Sequence, residues 1–216
     1  MLFGAGTFAS LVRHCLVNDA RREVVAFTVD GAYLERDNHD GLPLVAFESV
    51  TERFPPEVCD MVVSLGYARM NALRQERLQQ ARQLGYRVGS YVSSRASLWP
   101  DTAIRDNTLV YEGCVLQSYV EVGENVILRA GANIGHHSTV GSHSFVASGV
   151  VTGGRVKIGE RCFVGLGAVL RDGITLGARS FIGAGAVVLG DTEPDSVYVG
   201  NPARRLQKES SDVAAG

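Results

Sequence analysis

Aliphatic residues recur at every sixth position of this chain without a break in register. The series is Val92, Leu98, Ile104, Val110, Leu116, Val122, Leu128, Ile134, Val140, Val146, Thr152, Ile158, Val164, Leu170, Leu176, Ile182 and Val188, and Thr152 is its only member that is not aliphatic. A period of six fits neither the 3.6-residue repeat of a helix nor the alternation of a simple strand. It is typical of a parallel β-helix, in which each hexad supplies a short strand and a corner.

Small or β-branched residues stand two positions before each aliphatic residue, as at Cys114, Ala132, Ser138 and Cys162. Glycine follows the aliphatic residue at positions 123, 135, 141, 153, 159, 165, 177 and 183. We expect the aliphatic side chains to fill the interior and the small residues to fit tight corners. We expect the glycines to relieve backbone strain at those corners. Cys114 and Cys162 fall on the small-residue positions, which favours packing over chemistry.

The first 90 residues lack this repeat and alternate strand-like with helical segments. Strands are predicted at Met1–Phe3, Val24–Val29 and Cys59–Leu65, and helices are predicted up to Val17 and over Met70–Leu84, with Gly85 as a C-cap. Such alternation predicts a small parallel α/β sheet, a Rossmann-like fold. Three residues before Gly4 are few for a first strand, so either the strand is abbreviated or the true start lies upstream.

The two patterns divide the chain into two domains and a tail. Residues 1–90 are expected to form the Rossmann-like domain, and residues 91–206 are expected to form the β-helix and a C-terminal segment. Residues 207–216 are polar or small, so we expect a disordered tail.

Composition narrows the classes of partner. The 216 residues carry 21 Lys and Arg against 23 Asp and Glu, a formal charge of −2, and the sequence pI is about 6.2. This balance gives no electrostatic reason to expect nucleic acid or an anionic membrane as partner. No stretch approaches a membrane span, and the N-terminus lacks the pattern of a secretion signal, so we expect a cytoplasmic protein. The four cysteines form no Cys-x-x-Cys motif.

The segment Gly4-x-Gly6-x-x-Ala9 between the first strand and helix has the form of a phosphate-binding loop. Its glycines would let the backbone approach a diphosphate, and Asp30, after the next strand, would bind a ribose hydroxyl. About 90 residues provide only one half of a dinucleotide site, so a mononucleotide or nucleotide-linked sugar fits better than NAD. The alternative, in which the glycines serve only a tight turn, stays open.

His136 and His137 follow Ile134 at a corner, so their side chains are expected to point outward. Two adjacent imidazoles favour a role in catalysis, in which one histidine is the general base and the other orients it or contacts the substrate. A solvated pair is the plain alternative. A zinc site is a further alternative. It needs a third protein ligand, which in the hexapeptide-repeat carbonic anhydrases is a His about two coils away, and residues 96–112 of this chain contain no His. Residues 18 apart should stack on neighbouring coils, which places Gly154 beside His136. Gly154 is then either a hydrogen-bond donor to the oxyanion of the reaction or only a corner glycine.

Together these features resemble the bacterial sugar acetyltransferases of the sialic acid O-acetyltransferase type, which combine a nucleotide-sugar domain with a left-handed β-helix. The resemblance covers nearly the whole chain. It rests on the hexads and on Gly4-Ala5-Gly6, Asp30, Gly66-Tyr67, Ile134-Gly135-His136-His137, Gly153-Gly154 and Val199-Gly200-Asn201-Pro202-Ala203.

The resemblance implies a homotrimer that uses acetyl-CoA without a metal, with active sites between neighbouring β-helices. It implies His136 as the base and Gly154 as the donor to the thioester oxygen. It places the cofactor against Leu166, Ala184, Asn201, Pro202 and Arg204, and the nucleotide end of the substrate against Gly4, Gly6, Thr7, Asp30, Gly66 and Tyr67.

The chain departs from the nucleotide-sugar N-acetyltransferase pattern at three positions. His137 stands where an acidic residue is common, Arg129-Ala130 replaces an Asn-Thr pair, and Phe145 replaces a second His. These departures concern the acceptor more than the acyl donor. Arg129 is either a contact for an anionic sugar or a solvated corner residue.

The leading hypothesis is acetyl transfer from acetyl-CoA to an amino group, less favourably a hydroxyl, of a nucleotide-linked sugar in surface-glycan biosynthesis. Direct attack is expected, because neither β-helix cysteine is a convincing nucleophile. Two other classes stay open. One is a zinc enzyme like the hexapeptide-repeat carbonic anhydrases, and the other is a non-catalytic trimer that binds a nucleotide sugar.

Overall fold

Short strands and three helices build the N-terminal part of the chain in the computed structural model, which describes residues 1–213. The elements are β1 (Leu2–Phe3), α1 (Thr7–Asn18), β2 (Phe27–Val29), β3 (Asn38–His39), β4 (Leu42–Ala46), α2 (Val50–Arg53), β5 (Val62–Val63) and α3 (Ala72–Gln83). The strand order is β3-β4-β2-β1-β5, and all neighbours are parallel except the pair β3–β4. The predicted helices and buried strands are therefore present. The strands and α3 are shorter than predicted, whereas α1 ends one residue later, at Asn18.

The hairpin β3–β4 was not predicted from the hydrophobic pattern. Its two-residue turn is Asp40-Gly41, and both residues have positive φ, 49° and 78°. Asp-Gly is a preferred sequence for such a turn, because both residues adopt the left-handed conformation readily. The turn adds an antiparallel edge strand to the sheet, which is mixed rather than purely parallel.

Sixteen two-residue strands follow the N-terminal sheet along the chain, one for every hexad of the repeat except that of Ile104. They are β6 (Tyr91–Val92), β7 (Ser97–Leu98), β8 (Leu109–Val110), β9 (Val115–Leu116), β10 (Glu121–Val122), β11 (Ile127–Leu128), β12 (Asn133–Ile134), β13 (Thr139–Val140), β14 (Phe145–Val146), β15 (Val151–Thr152), β16 (Lys157–Ile158), β17 (Phe163–Val164), β18 (Val169–Leu170), β19 (Thr175–Leu176), β20 (Phe181–Ile182) and β21 (Val187–Val188).

These strands stack in parallel with partners 18 residues apart and form the three faces of a prism. Face I contains β6, β8, β11, β14, β17 and β20, face II contains β7, β9, β12, β15, β18 and β21, and face III contains β10, β13, β16 and β19. We name each corner by the faces that it joins, for example the II–III edge. The arrangement confirms the parallel β-helix and is consistent with its left-handed form.

The hexad aliphatic residues fill the prism interior, where Val110 to Val188 form one buried cluster. Thr152, the exception in the series, is also buried, at 5% exposure. Its hydroxyl accepts a hydrogen bond from the Gly135 N–H at 2.8 Å and donates one to the Gly153 carbonyl at 2.9 Å. A buried hydroxyl is tolerated when it is fully bonded, which explains how threonine replaces an aliphatic residue here.

The glycines that follow the aliphatic residues do not relieve strain, contrary to the prediction. None of the eight has a positive φ. They are glycines because the next coil lies too close for a side chain: a Cβ on Gly135 would come within 2.2 Å of the Gly153 carbonyl oxygen. The left-handed residue stands two positions later. On the I–II edge this position is glycine in five successive coils, at 113, 131, 149, 167 and 185.

The N-terminal part of the chain packs on face I through side chains that follow β5 along the chain. Tyr67 packs against Phe145 edge-on and against Phe163 at a tilt, with ring centroids 5.2 Å and 4.4 Å away. Arg74 of α3 is fully buried and donates hydrogen bonds to the carbonyls of Asn125 and His143 at the III–I edge. These contacts fix the loop after β5 against the β-helix.

The C-terminal segment is ordered through residue 213, which corrects the predicted disorder from Gln207. Strand β22 (Ser196–Val199) pairs in parallel with β20, and β23 (Arg204–Glu209) pairs antiparallel with β22. Ser210 is 2% exposed, and its N–H donates to the Asp195 carbonyl at 2.9 Å. Backbone pairing on face I, rather than side-chain burial, orders this polar segment. Residues 214–216 of the predicted tail lie outside the described residues.

Candidate active site

His136 and His137 follow β12 after Gly135 and occupy the II–III edge. Both side chains are exposed, as the sequence predicted. The His136 N–H donates to the Gln117 side-chain oxygen at 3.0 Å, and the His136 carbonyl accepts from the Arg155 N–H at 2.8 Å. The backbone of this corner is therefore held from the preceding and the following coil.

The His136 imidazole lies on the Cα of Gly154, one coil further along the same edge. A Cβ on Gly154 would stand 2.5 Å from both Cε1 and Nε2 of the ring. Gly154 is buried, and its N–H has no acceptor among the described residues. A buried N–H without an acceptor and an imidazole packed on the same residue offer a hydrogen-bond donor and a proton acceptor at one corner, as an acyl-transfer reaction needs.

The second imidazole belongs to the same cluster. The Nδ1 atoms of His136 and His137 are 3.1 Å apart, and the two rings are perpendicular. The His137 ring also lies against the ring of Tyr119 from the preceding coil, at a centroid distance of 4.6 Å. One Nδ1 must carry a proton for this hydrogen bond to form, so the two imidazoles cannot choose their tautomers independently.

The β-helix cysteines are packing residues, as predicted. Cys114 and Cys162 are fully buried in the prism interior. Burial raises the pKa of the Cys162 thiol to about 12 and also raises the pKa of the Cys114 thiol. Since the thiolate is the nucleophile, neither residue is suited to form an acyl-enzyme.

The glycine loop joins β1 to α1 at the carboxyl end of the sheet. Gly4 has a φ of +116°, and a Cβ there would stand 3.0 Å from the Ser64 carbonyl oxygen. Gly6 is the N-cap of α1, no side chain caps the helix, and its first residue is Thr7. An open cleft of about 500 Å³ lies against this loop. Free helix N–H groups facing a cleft are suited to bind phosphate.

The loops after β1 and β5 meet where the strand order reverses. The chain adds β2 and β4 on one side of β1 and then returns with β5 on its other side. Gly66 and Tyr67 follow β5, so they adjoin the glycine loop. In open α/β sheets the crevice at such a reversal is the usual ligand site. The Tyr67 ring, however, packs on face I, which limits how it could contact a ligand.

Asp30 lies at the end of β2, but its carboxylate is already paired. Arg77 of α3 donates to Asp30 Oδ2 at 2.7 Å, and both side chains are mostly buried. A ribose hydroxyl would therefore have to share this carboxylate with Arg77. The structure thus puts Asp30 at the predicted place and adds a partner that the sequence did not indicate.

Arg129 is not a solvated corner residue. Its guanidinium carbon lies 4.2 Å from the Tyr111 ring centroid and 5.5 Å from that of Phe8, which follows the glycine loop. Its Nη1 and the Tyr111 hydroxyl are buried without a hydrogen-bond partner among the described residues. The position of Arg129 ties the I–II edge to the first helix.

The residues that the resemblance assigns to the cofactor gather at the I–II edge. Leu166 and Ala184 stack there one coil apart, and Leu166 is 60% exposed although it is aliphatic. The segment 201–204, exposed except for the half-buried Ala203, adjoins the same edge. The Val187 N–H donates to the Gly200 carbonyl, and the Ala203 N–H donates to the Val187 carbonyl. These residues form one continuous surface with a large apolar side chain exposed in it.

Within one chain the predicted site residues therefore form two separate groups. His136, His137 and Gly154 lie on the II–III edge. Leu166, Ala184, the Asn201–Arg204 segment and Arg129 lie on or beside the I–II edge, with the glycine loop close to Arg129. Face II separates the two groups.

Three residues near these groups were not singled out from the sequence. Tyr119 contacts His137, Gln117 binds the His136 backbone, and Arg36 reaches the Ala5 carbonyl of the glycine loop at 3.3 Å. Tyr119 and Gln117 stand 18 residues before His137 and Gly135, so the coil spacing could have identified them.

Neither a metal cluster nor a membrane-spanning helix is found in the part of the chain that the structure describes. Among residues 1–213 no group of three or more His, Cys, Asp or Glu side chains is arranged to hold a metal ion. No helix in the same range is long and apolar enough to cross a membrane.

Comparison with known proteins agrees with this architecture. The family profile described as "Hexapeptide repeat of succinyl-transferase" matches residues 155–189. No curated protein sequence is similar enough to count as a relative of this chain.

Solved structures with the same fold cover nearly the whole chain. The acetyltransferase domain of PglB from Neisseria gonorrhoeae FA1090 is 24% identical with a TM-score of 0.84, over 95% of this chain and 98% of that one. A histidine-to-asparagine variant of perosamine N-acetyltransferase from Caulobacter crescentus, in complex with CoA and GDP-perosamine, is 24% identical with a TM-score of 0.88, over 96% of both chains. WeeI from Acinetobacter baumannii AYE is 19% identical with a TM-score of 0.77, over 95% and 98%.

Proposed function

We propose that this protein is an acetyltransferase that moves an acetyl group from acetyl-CoA to an amino group, less favourably a hydroxyl, of a nucleotide-linked sugar. The observation that carries the proposal is the placement of the His136 ring on Gly154, whose buried N–H is free. Imidazole and N–H donor are the two groups that direct acyl transfer needs.

The chemistry follows from these two groups. The sugar amine attacks the thioester carbonyl carbon while His136 Nε2 accepts the proton that the nitrogen loses. The Gly154 N–H donates to the oxygen that becomes negative in the tetrahedral intermediate. The carbon–sulfur bond then breaks, His136 returns the proton to the CoA thiolate, and the acetylated sugar and CoA leave. The buried cysteines take no part.

The N-terminal sheet supplies the proposed nucleotide site, in a Rossmann-like role. Gly4, Gly6 and Thr7 would hold the diphosphate at the start of α1, and the loop at Gly66 would close the other side of the crevice. One glycine loop in a sheet of this size suits a mononucleotide. Asp30 would bind the ribose while it remains paired with Arg77.

The separation of the two residue groups supports a homotrimer. In a three-fold ring each interface is heterologous, so one protomer contributes a surface that differs from its neighbour's. The II–III edge with His136 and Gly154 would face the I–II edge of the next protomer, with Leu166, Ala184 and the Asn201–Arg204 segment as its CoA wall. The exposure of Leu166 in one chain agrees with such a covered position.

The comparisons support the ligand classes. Perosamine N-acetyltransferase, which shares the fold over 96% of both chains, was solved with CoA and GDP-perosamine bound. PglB was solved with acetyl coenzyme A. We extend acetyl-CoA and a nucleotide amino sugar to this chain on that basis, and the sialic acid O-acetyltransferase type remains the finer proposal.

The test is a thioester-release assay with acetyl-CoA against a panel of nucleotide amino sugars and their hydroxyl counterparts. We expect release with an amino sugar and a loss of about 10²- to 10⁴-fold in His136→Ala. The product mass should show one added acetyl group. No release with any acceptor would overturn the proposal, and one equivalent of zinc per chain by elemental analysis would favour the metalloenzyme alternative.

A further inference from the structure

Two aromatic side chains on the II–III edge occupy left-handed corner positions that are glycine along the I–II edge and Asn, His or Arg along the III–I edge. Tyr119 has a φ of +63° and His137 a φ of +56°. At the corresponding corner of the I–II edge, the five successive coils from Gly113 to Gly185 all carry glycine. The left-handed conformation is unfavourable for bulky residues. Among the left-handed corner positions of the described repeat, only Tyr119 is neither Gly, Asn, His nor Arg.

Burial does not explain Tyr119. Its side chain is 65% exposed, and its hydroxyl has no hydrogen-bond partner among the described residues. Only its backbone N–H is engaged, by the Asp101 carboxylate at 3.3 Å. A strained residue that contributes little to the core is the kind of outlier that points to a functional role.

The contact that Tyr119 makes is with the site. Its ring lies 4.6 Å from the His137 ring at an angle of 38°, so it covers one side of that imidazole. The His137 ring in turn stands perpendicular to His136, and their Nδ1 atoms are 3.1 Å apart. The three rings form a continuous series from Tyr119 through His137 to the imidazole on Gly154.

We propose that Tyr119 is a positioning residue that acts on His136 through His137. By holding the His137 ring, Tyr119 keeps its Nδ1 as the acceptor of the His136 Nδ1–H. With the proton fixed on Nδ1, the Nε2 atom of His136 is unprotonated and lies beside Gly154, ready to accept a proton. The inference rests on the proposed function, because that function requires Nε2 as the base.

The His137 position explains why an aromatic partner is needed. A carboxylate at residue 137 would accept the His136 Nδ1–H with either of its two equivalent oxygens. An imidazole accepts at Nδ1 only in one tautomer and one ring orientation. Packing against Tyr119 supplies the orientation that the shape of the imidazole alone does not.

Tyr119→Gly tests this role without loss of folding, because glycine suits the left-handed position. We expect its thermal midpoint to be no lower than that of the unaltered protein. The kcat should fall by about 10- to 100-fold while the KM for acetyl-CoA stays constant. Tyr119→Phe is the matched conservative variant: it keeps the ring and should recover most of the rate. An unchanged kcat in Tyr119→Gly, or a change confined to the KM for the sugar, would overturn the positioning role.

A second measurement reads the tautomer without activity. In ¹⁵N-histidine-labelled protein, the His136 signals are assigned by their loss in His136→Asn. We expect the Nδ1–H form in the unaltered protein and in Tyr119→Phe, and a mixture of tautomers in Tyr119→Gly. The same tautomer in all three would overturn the inference. If the tautomers shift as expected while no acceptor is ever acetylated, the proposed function fails and the positioning role of Tyr119 stands.

Discussion

The imidazole of His136 rests on the Cα of Gly154, and no side chain of any size fits at residue 154 without moving that ring. The two residues are 18 apart, which is one coil, so the hexad repeat itself brings them together. Glycine here is required by contact rather than by conformation, because the φ of Gly154 is not positive. The two groups of the proposed mechanism are thus brought together by the geometry of the repeat.

The first prediction is that Gly154→Ala lowers activity and leaves folding intact. The new Cβ meets the far end of a flexible side chain, so His136 moves and the backbone does not. We expect kcat/KM to fall by about 10²-fold or more, since misplacing a catalytic group by about 1 Å has this effect. Steady-state kinetics and the thermal midpoint measure the two quantities.

Gly190→Ala is the control for that change. Gly190 is two coils further along the same edge, a Cβ added there would meet no atom within 4 Å, and its φ is not positive. Its activity should remain near that of the unaltered protein. Equal kinetics for Gly154→Ala and Gly190→Ala would contradict a role for the contact between residue 154 and His136.

The second prediction concerns complementation between two inactive variants. If His136 and Leu166 act in the same site from different protomers, His136→Ala and Leu166→Glu damage different sides of one interface. Each mixed trimer that carries both variants should regain about one third of the activity, because one of its three interfaces joins the two intact sides. Co-expression with two tags and tandem purification gives the mixed assembly.

The same experiment distinguishes a site within one chain. In that case every chain of the mixture carries one damaged residue of its own site, and activity stays at the level of the separate variants. Mixing the purified homotrimers without co-expression is the control for contamination. Light scattering that shows only single chains would remove the basis of the prediction.

The hexad pattern predicted much of this architecture because each position in the six-residue period corresponds to one fixed place on the coil. The interior positions, the outward His136 and the stacking of Gly154 all follow from counting residues in sixes and eighteens. The glycine roles were wrong, because a sequence does not show which glycine has a positive φ and which meets the next coil. The order of Lys208 and Glu209 was also missed, since backbone pairing on face I needs no apolar side chain.

Contacts between the two parts of the chain were beyond such counting. Arg74 stands on the same helical face as Leu78 and Ala81. A cation on that apolar face can be assigned to buried hydrogen bonds only when the carbonyl groups that accept them are known. The pairing of Asp30 with Arg77 and the packing of Arg129 on Tyr111 depend equally on how the sheet docks on face I. Long-range packing, rather than local pattern, decided these side chains.

The third prediction is that His143 makes stability fall as the pH falls. His143 is buried at the III–I edge, and the Asn125 side-chain amide donates to its Nδ1 at 2.9 Å. Burial lowers the pKa of His143, and the Arg74 charge lowers it further, although Glu124 opposes the shift. The unfolded chain then binds the proton more tightly, so stability present at pH 8 decreases as the pH falls through about 6.5.

His143→Asn should remove that dependence. Asparagine accepts the left-handed backbone and already occupies this position at Asn107 and Asn125 in the two preceding coils. The difference in the free energy of unfolding between the two proteins should shrink from pH 8 to pH 5, as measured by urea unfolding. Parallel curves over that range would show that His143 is not the titrating group.

The fourth prediction is that Arg74→Met destabilises the fold by about 3–5 kcal/mol, because it leaves several buried carbonyls unbonded. Arg74 is 0% exposed and has no carboxylate partner among the described residues, and burial lowers its pKa to about 9. It therefore stays charged at neutral pH and binds the carbonyls of Gly66, Asn125 and His143. Arg82→Met on the same helix should cost at most about 1 kcal/mol, since Arg82 makes surface ion pairs. Urea unfolding compares the two, and a similar loss for both would show that the buried bonds of Arg74 do not hold the sheet to the β-helix.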